Sequence, residues 1–403
     1  MIHPSKKLSK LPPYIFSRIK LLTQEAYSRR LDVIDLGMGN PDLPTPRVIV
    51  DALTDTALHH PRTHRYPQAK GMLKFRRAVA RWMENRFGVR LNPETEVLAL
   101  IGSKEGIYHL CAAYLEPGDV ALVPTPTYPV HYSSVILAGG RVHPVVLDPD
   151  NDYLPDLKKI PASVARRAKI LFLNYPNNPT TGIVRDQAFF HEVVKFAKKY
   201  EILVVYDNAY SEVTFDGYVA PSFLETPGAR DVCVEFHSFS KTYSMAGWRL
   251  GWACGSQKLL APLEKFKSYT DYGVPSFVQL AGIKALESWP QIIAPIVETY
   301  RKRRDFFVDG LTRIGWPVTK PSATMYIWAA IPEPFKKLGS LAFAERLVRE
   351  TGIAVAPGVG FGEAGDQHVR FALVTHDQRF HDVLLRLKKF LGVKRESPQK
   401  SAV

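Results

Sequence analysis

Four short segments bring together residue types that can do chemistry. Gly102-Ser103-Lys104, Asn178-Pro179, Asp207 with Tyr210 three residues on, and Ser238-Phe239-Ser240-Lys241 with Arg249 eight residues later each follow a short apolar run. A lysine amine can form a Schiff base, and an aspartate can keep a pyridine nitrogen protonated. Backbone N–H groups that open a helix can hold a phosphate. Taken singly, each residue has a plainer explanation. A lone Lys is ordinarily a surface cation, an Asp after a strand often caps the next helix, and Tyr210 fits a half-buried ring. Taken together, a Lys, an Asp and a set of phosphate donors are what pyridoxal phosphate needs.

Other chemistries that share these residues fail on their remaining parts. Ser238-x-x-Lys241 has the form of the serine β-lactamase nucleophile motif, which also requires S-D-N and K-T-G elements. The chain offers Tyr206-Asp207-Asn208 and Lys241-Thr242-Tyr243 in their stead. Gly37-Met38-Gly39 and Gly358-x-Gly360-x-Gly362 lack the spacing of a dinucleotide loop, and there is no Walker A sequence.

The apolar runs that must position these residues read as strands: Val97–Ile101, Val120–Val123, Lys169–Leu173, Ile202–Tyr206, Val232–Phe236 and Leu250–Cys254. Glu105–Leu115 and Gln187–Lys199 have helical spacing, and a further helix follows Tyr128. Val120–Val123 is expected to close at Pro124. Ile202–Tyr206 is apolar throughout, as expected of a strand covered on both faces. Strands alternating with helices predict a parallel α/β sheet, and such sheets bind ligands at the carboxyl ends of their strands. All four segments then converge on one edge. Residues 291–403 hold long helical stretches with strand-like runs at Met325–Ala329 and Val369–Val374, which predicts a smaller α+β lobe. The Pro-rich start is expected to drape over the body.

Composition sets the background. The chain has 403 residues, 46% hydrophobic and 23% charged, which excludes a disordered, collagen-like or disulfide-framework protein. Its three cysteines, Cys111, Cys233 and Cys254, lie far apart, which suits a reducing compartment and offers no zinc cluster or other metal site. The first residues do not read as a signal peptide, and no apolar run approaches the ~18 residues of a membrane span. A cytoplasmic protein is expected. The formal charge is +14 and the pI about 9.5. The basic residues are dispersed, without the aromatic interleaving of a nucleic-acid platform, so small anions rather than nucleic acid are the expected partners. The densest run, Tyr300-Arg301-Lys302-Arg303-Arg304, reads as a solvated helix face. Lys388, Lys389, Lys394, Arg395 and Lys400 read as a helix end followed by a frayed terminus.

At this point a family resemblance appears over nearly the whole chain. Ser238–Trp252 (SFSKTYSMAGWRLGW) resembles the cofactor-lysine signature of class I aminotransferases of fold type I, the aspartate-aminotransferase fold. NNPTTG, YDNAY, PTYPVH and HVRFAL match further blocks of that family in the expected order. LPPYIFSRI, GMGNPD, RYPQAKG and IGSKEGIYHL are most similar to bacterial glutamate–pyruvate (alanine) aminotransferases, with LL-diaminopimelate aminotransferases as close relatives. The implied fold is α/β: a large domain with a mostly parallel seven-stranded sheet covered by helices, plus a smaller α+β domain. The implied division is 1–47 as an N-terminal segment joining the small domain, 48–290 as the cofactor domain and 291–403 as the small domain.

The resemblance also implies roles. Lys241 is the Schiff-base lysine and the base that moves the substrate's Cα proton. Asp207 pairs with the pyridine nitrogen, while Tyr210 and Asn178 bond the ring's phenolic oxygen. Tyr128 stacks on the ring. Ser103, Lys104, Ser238, Ser240 and Arg249 form the phosphate site, Ser103 and Lys104 as much by backbone as by side chain. Tyr66, in Arg65-Tyr66-Pro67, reaches the phosphate of a neighbouring subunit, which implies a homodimer with composite sites. Gly39 lets the substrate carboxylate approach the backbone, and Tyr14 covers the substrate. Arg370, read locally, is a surface residue of an edge strand whose neighbours Val369 and Phe371 face the core; the resemblance instead puts it in the cleft, forked onto the substrate α-carboxylate.

Two departures qualify the match. Asn178-Pro179-Thr180-Thr181-Gly182 is one residue longer than the usual N-P-T-G. Lys267–Gly273 (KSYTDYG) has no Arg, which disfavours aspartate as donor. The activity implied is a ping-pong transfer between an L-amino acid and a 2-oxo acid, alanine plus 2-oxoglutarate giving pyruvate plus glutamate, with LL-diaminopimelate or another amino acid as the alternative donor. A β-lyase or decarboxylase would share Lys241 and Asp207, and a non-catalytic transcription regulator of this fold would need a helix-turn-helix for which there is no room before Gly37.

Overall fold

The computed structural model describes residues 2–12 and 14–392. Its strands in chain order are β1 (Ile34–Asp35), β2 (Val97–Leu100), β3 (Val120–Thr125), β4 (Arg141–Val146), β5 (Ala168–Asn174), β6 (Leu203–Asp207), β7 (Cys233–Ser238), β8 (Gly251–Gly255), β9 (Tyr326–Ala330), β10 (Ile353–Ala354), β11 (Ala356–Pro357) and β12 (His368–Ala372). Seven of them form one sheet in the order β2-β8-β7-β6-β5-β3-β4. Strands β4, β3, β5, β6 and β7 pair in parallel, and β8 runs antiparallel to both β7 and β2. Every residue of β6, β7 and β8 is buried. Helices cover both faces, so the apolar runs of the sequence become strands with no solvent side.

Two strands depart from expectation. β3 continues through Pro124 to Thr125. Its pairing with β5 ends at Leu122 while β4 follows it to Thr125, so the proline lies where one neighbour has already left. β4 was not among the strands read from the sequence. It is the sheet's edge, mostly exposed or half-buried, and lacks the apolar run of an interior strand.

A second layer is built from β11-β12-β9, all antiparallel, and from β1 laid parallel to β10. The N-terminal segment contributes a helix, Ile15–Ser28, and then β1. Leu22, Ile34 and Leu36 share one apolar core with Phe307, Leu347 and Phe371, and Tyr210, Val213 and Phe215 join it from the chain after β6. No helix among the described residues is long and apolar enough to cross a membrane. The helix Asp377–Phe390 carries Lys388 and Lys389 in its last turn, whereas Lys394, Arg395 and Lys400 lie outside the described residues.

One reading of the charge is overturned. In the helix Ala294–Arg313, Tyr300 and Arg304 are fully buried and Arg303 is 5% exposed. Tyr300, Arg303, Arg304 and Phe307 follow the spacing of one helix face, and that face is the inner one. The arginines are tolerated there because carboxylates arrive from distant segments: Asp42 to Arg303 at 2.7 Å and Asp216 to Arg304 at 2.6 Å. Local spacing carries no trace of those partners.

Candidate active site

Parallel pairing aligns the carboxyl ends of β5, β6 and β7, with Asn174 opposite Asp207 and Asp207 opposite Phe236. A cavity opens there. Its sheet-side wall is formed by Ser103, Lys104, Tyr128, Asn178, Asp207 and Tyr210, with Ser238, Ser240, Lys241 and Arg249 beyond them. The facing wall holds Tyr14, Gly39 and Arg370. Every residue singled out in the sequence lines this cavity except Tyr66, which is 84% exposed with its ring 4.9 Å from that of Tyr272.

On the sheet side the carboxylate is held firmly. Asp207 Oδ2 lies 3.1 Å from His131 Nε2, and His131 Nδ1 lies 2.6 Å from Thr127 Oγ1. The His131 ring stacks on Phe172 at 5.2 Å. Asn174 Nδ2 donates to the Asp207 carbonyl at 2.7 Å, and its Oδ1 accepts from Asn178 N at 3.0 Å. Asp207 Oδ1 is buried with no hydrogen-bond partner among the described residues. A carboxylate oxygen in that state is matched by a protonated ring nitrogen, so the site fits a pyridinium cofactor.

A phosphate corner lies beside it. The helix Ser103–Tyr114 starts at Gly102, whose φ is 73°. A Cβ on Gly102 would meet Arg249 Nη2 at 2.4 Å, so the glycine admits the guanidinium to the helix N-terminus. Arg249 Nη1 donates to the Ala246 carbonyl at 2.9 Å. Ser238 Oγ accepts from Ser240 N at 3.2 Å. Backbone donors, two hydroxyls and a guanidinium converge, as a phosphate requires.

Lys241 Nζ donates to the Gly39 carbonyl, bridging the two walls. Burial lowers the Lys241 pKa from the ordinary lysine value, and Arg370 and Arg249 add to this against the opposing pull of Tyr326. Burial raises Tyr210 well above the usual tyrosine range and pushes Tyr128 up to about 12.

Arg370 is not a surface residue of an edge strand. β12 is the middle strand of its sheet, and Arg370 is 4% exposed. Alternation does turn it away from Val369 and Phe371, but its side of the sheet faces the cavity rather than water. Its Nη1 donates to Asn178 Oδ1 at 2.6 Å and its Nη2 to the Gly37 carbonyl at 2.9 Å. Its Nε is buried with no acceptor among the described residues. The guanidinium carbon sits 4.0 Å above the centre of the Tyr326 ring.

Tyr326 was not foreseen. Its hydroxyl lies 3.0 Å from that of Tyr210, and a Cβ on Gly39 would come within 2.1 Å of it. Gly39 is therefore bare to make room for Tyr326, a requirement separate from the expected approach of a carboxylate. Although burial works the other way, Lys241, Arg370 and the Tyr210 hydrogen bond hold the Tyr326 hydroxyl below the ordinary tyrosine pKa. His131, Thr127 and Asn174 were also missed. The first two lie inside the quoted segment Pro126–His131 and the third ends a strand, so position could have found them; nothing local marks Tyr326. The extra residue of the Asn178–Gly182 loop is absorbed by Thr181, which takes a left-handed φ of 63°. In Lys267–Gly273, the one cation is buried and held by Glu105 at 3.1 Å and Asp271 at 2.7 Å.

Residues 31–386 match the family described as aminotransferase class I and II. The LL-diaminopimelate aminotransferase of Moorella thermoacetica is 47% identical over 388 residues, covering 96% of this chain and 98% of that protein. The enzyme of the same name from Desulforudis audaxviator is 48% identical over the same coverage. Among solved structures, substrate-bound BacF from Bacillus subtilis superposes with a TM-score of 0.92 at 36% identity, covering 97% of this chain and 98% of its own.

Proposed function

The chain belongs to the class I and II aminotransferase family, and on that premise we propose that it is a pyridoxal-phosphate enzyme moving an amino group between LL-diaminopimelate and a 2-oxo acid. The observation that carries the cofactor is the convergence of Lys241, Arg249 and the unpartnered Asp207 Oδ1 on one cavity. The donor rests on the relatives: proteins named LL-diaminopimelate aminotransferase, 47% and 48% identical, support that substrate over the alanine and 2-oxoglutarate pairing expected from the sequence.

When bound, pyridoxal phosphate supplies an electron sink for the substrate Cα. Lys241 would hold it covalently, Asp207 would pair with its ring nitrogen, and Asn178 and Tyr210 would bond its phenolic oxygen. Tyr128 would lie against the ring face, where an offset contact contributes ~1 kcal/mol. The Ser103–Lys104 backbone, Ser238, Ser240 and Arg249 would take the phosphate, joined by Tyr66 of a second copy in a homodimer with composite sites. The proposed division is the N-terminal segment 1–47, the cofactor domain 48–290 and the small domain 291–403.

The chain's own residues then handle the proton. Lys241, once released by substrate, takes the Cα proton, which only a neutral amine can do. Its lowered pKa keeps a larger fraction neutral at a given pH. Arg370 fixes the α-carboxylate so that the Cα–H bond meets Nζ. Its unpartnered Nε–H leaves one edge of the guanidinium for that anion.

A donor panel scored by kcat/KM with 2-oxoglutarate and pyruvate as acceptors tests the reading. LL-diaminopimelate is expected to exceed alanine, by a margin set largely by groups far from the reacting carbon. Alanine outperforming it would return the assignment to the alanine enzyme. Ammonia release without a 2-oxo acid would mark a lyase.

A further inference from the structure

We propose that Arg303 is a positioning residue for the substrate carboxylate, acting through Asp42 on the Gly37–Gly39 segment. The inference rests on the reading of Arg370 as the group that binds that carboxylate.

Residues 37–39 belong to no strand or helix, yet their carbonyls hold two of the cavity's cations: Gly37 O accepts from Arg370 and Gly39 O from Lys241. A carbonyl can orient a guanidinium only if its own chain is fixed. On the N-terminal side it is. Leu36 is bonded into the small sheet, its N to Ala354 O at 2.8 Å and its O from Ala372 N at 2.7 Å. Asp35 Oδ1 accepts from Gly37 N at 2.8 Å. On the other side, the first side chain with an anchoring bond is Asp42. Arg303 grips it in a fork, Nη1 at 2.7 Å and Nη2 at 2.9 Å.

The same guanidinium holds the other side of the Arg370 contact. Arg303 Nη1 also donates to Leu373 O at 3.0 Å, three residues beyond Arg370 along the chain, and Nε to Asp377 Oδ1 at 3.2 Å. One buried cation thus ties the segment that supplies Gly37 O to the chain that supplies Arg370. Burial makes the arrangement costly unless it is fully bonded, and only a planar fork satisfies Asp42 with both oxygens.

The helix provides its own control. Arg304, the next residue, forks onto Asp216 at 2.6 Å and 2.9 Å and reaches Pro321 O. None of its bonds touches residues 35–42. If buried arginine pairs matter only for folding, breaking either should have similar consequences. If Arg303 positions the pocket, only the Asp42 pair should change how a carboxylate binds.

The test measures the Ki of propanoate, a bare monocarboxylate, together with KM, kcat and cofactor absorbance of holoenzymes. Asp42→Asn is expected to raise Ki and KM for every donor by about 10-fold, and Arg303→Met by up to about 100-fold, with smaller changes in kcat and unchanged absorbance. Arg303→Lys should recover part of the loss. Asp216→Asn should lower Tm but leave Ki where it is. Equal Ki changes in Asp42→Asn and Asp216→Asn would overturn the proposal, as would no change in the first. Should Arg303→Met not fold, Asp42→Asn decides alone, because it breaks the pair from a side chain 21% exposed. Arg370→Lys is measured alongside. Loss of propanoate binding there with none in Asp42→Asn defeats this inference only, whereas intact binding in Arg370→Lys defeats the carboxylate reading and the inference with it.

Discussion

The two walls of the cavity are built on different plans. The sheet-side wall takes its chemistry from consecutive strand ends: Asn174 closes β5, Asp207 closes β6, and Ser238 closes β7 with Lys241 three residues on. Each group sits at the end of a strand, or within three residues of it, and the register of those strands is fixed by buried neighbours. The facing wall is assembled from pieces far apart in sequence, among them residues 37–39, Tyr326 and Arg370, which are held by side chain-to-backbone bonds and a ring contact. The first plan suits a group that stays, since its partners must not move. The second suits a substrate that comes and goes, since its contacts can re-form around each arrival. Damage to the two walls should therefore read out differently.

Lys241→Ala is the largest break on the sheet side. It removes both the covalent hold and the base, and loss of a general base alone costs about 10²- to 10⁴-fold. The expected protein is colourless after dialysis, shows no borohydride-fixed cofactor and has kcat/KM reduced by at least that factor. Normal transamination by such a variant would remove Lys241 from the mechanism.

Arg370→Lys is the matching break on the facing wall. A lysine cannot reproduce the fork, so transition-state binding should weaken by about 2–5 kcal/mol, roughly 30- to several-thousand-fold in kcat/KM. The loss should be alike for every amino donor, because all carry the α-carboxylate. Cofactor occupancy and absorbance should stay near normal, since among the described residues the side-chain bonds of Arg370 go to Asn178 and Gly37 O and none reaches the phosphate site. A variant that changed preference among donors while leaving the best one intact would make Arg370 a side-chain selector instead.

The same division explains what could be read from the sequence. Asp207 and Lys241 each follow an apolar run at short range, so a parallel sheet makes their convergence visible in one dimension. Pro124 and β4 were misread because pairing at a sheet's margin depends on neighbours, not on the run itself. Arg303 and Arg304 were read as solvated because their partners, Asp42 and Asp216, lie 261 and 88 residues away. Tyr326 opens an ordinary strand, and only the folded chain brings its hydroxyl to Tyr210 and its ring beneath Arg370. Donor choice was the least legible. It depends on pocket shape, where a methylene is worth only ~1–3 kcal/mol, and the motifs shared across the family say little about it.

Tyr326 offers the finest test, because it touches both walls at once. Its ring supports Arg370, its hydroxyl meets that of Tyr210, and its charge acts on Lys241. Tyr326→Phe keeps the ring and removes only the hydroxyl. The lost hydrogen bond is worth ~0.5–1.5 kcal/mol, so kcat/KM should fall by about 2- to 13-fold, well short of the Arg370 effect. The sharper readout is the sign of a titration. Burial lowers the Lys241 pKa and the Tyr326 hydroxyl opposes that shift, so removing the hydroxyl must lower Lys241 further. In the cofactor-free protein, reductive methylation of Lys241 followed by mass spectrometry should then begin at a lower pH in Tyr326→Phe than in the parent. A shift to higher pH, or none, would mean that the hydroxyl does not act on the amine. Tyr326 would then meet the sheet-side wall through Tyr210 alone and serve chiefly as a platform for Arg370.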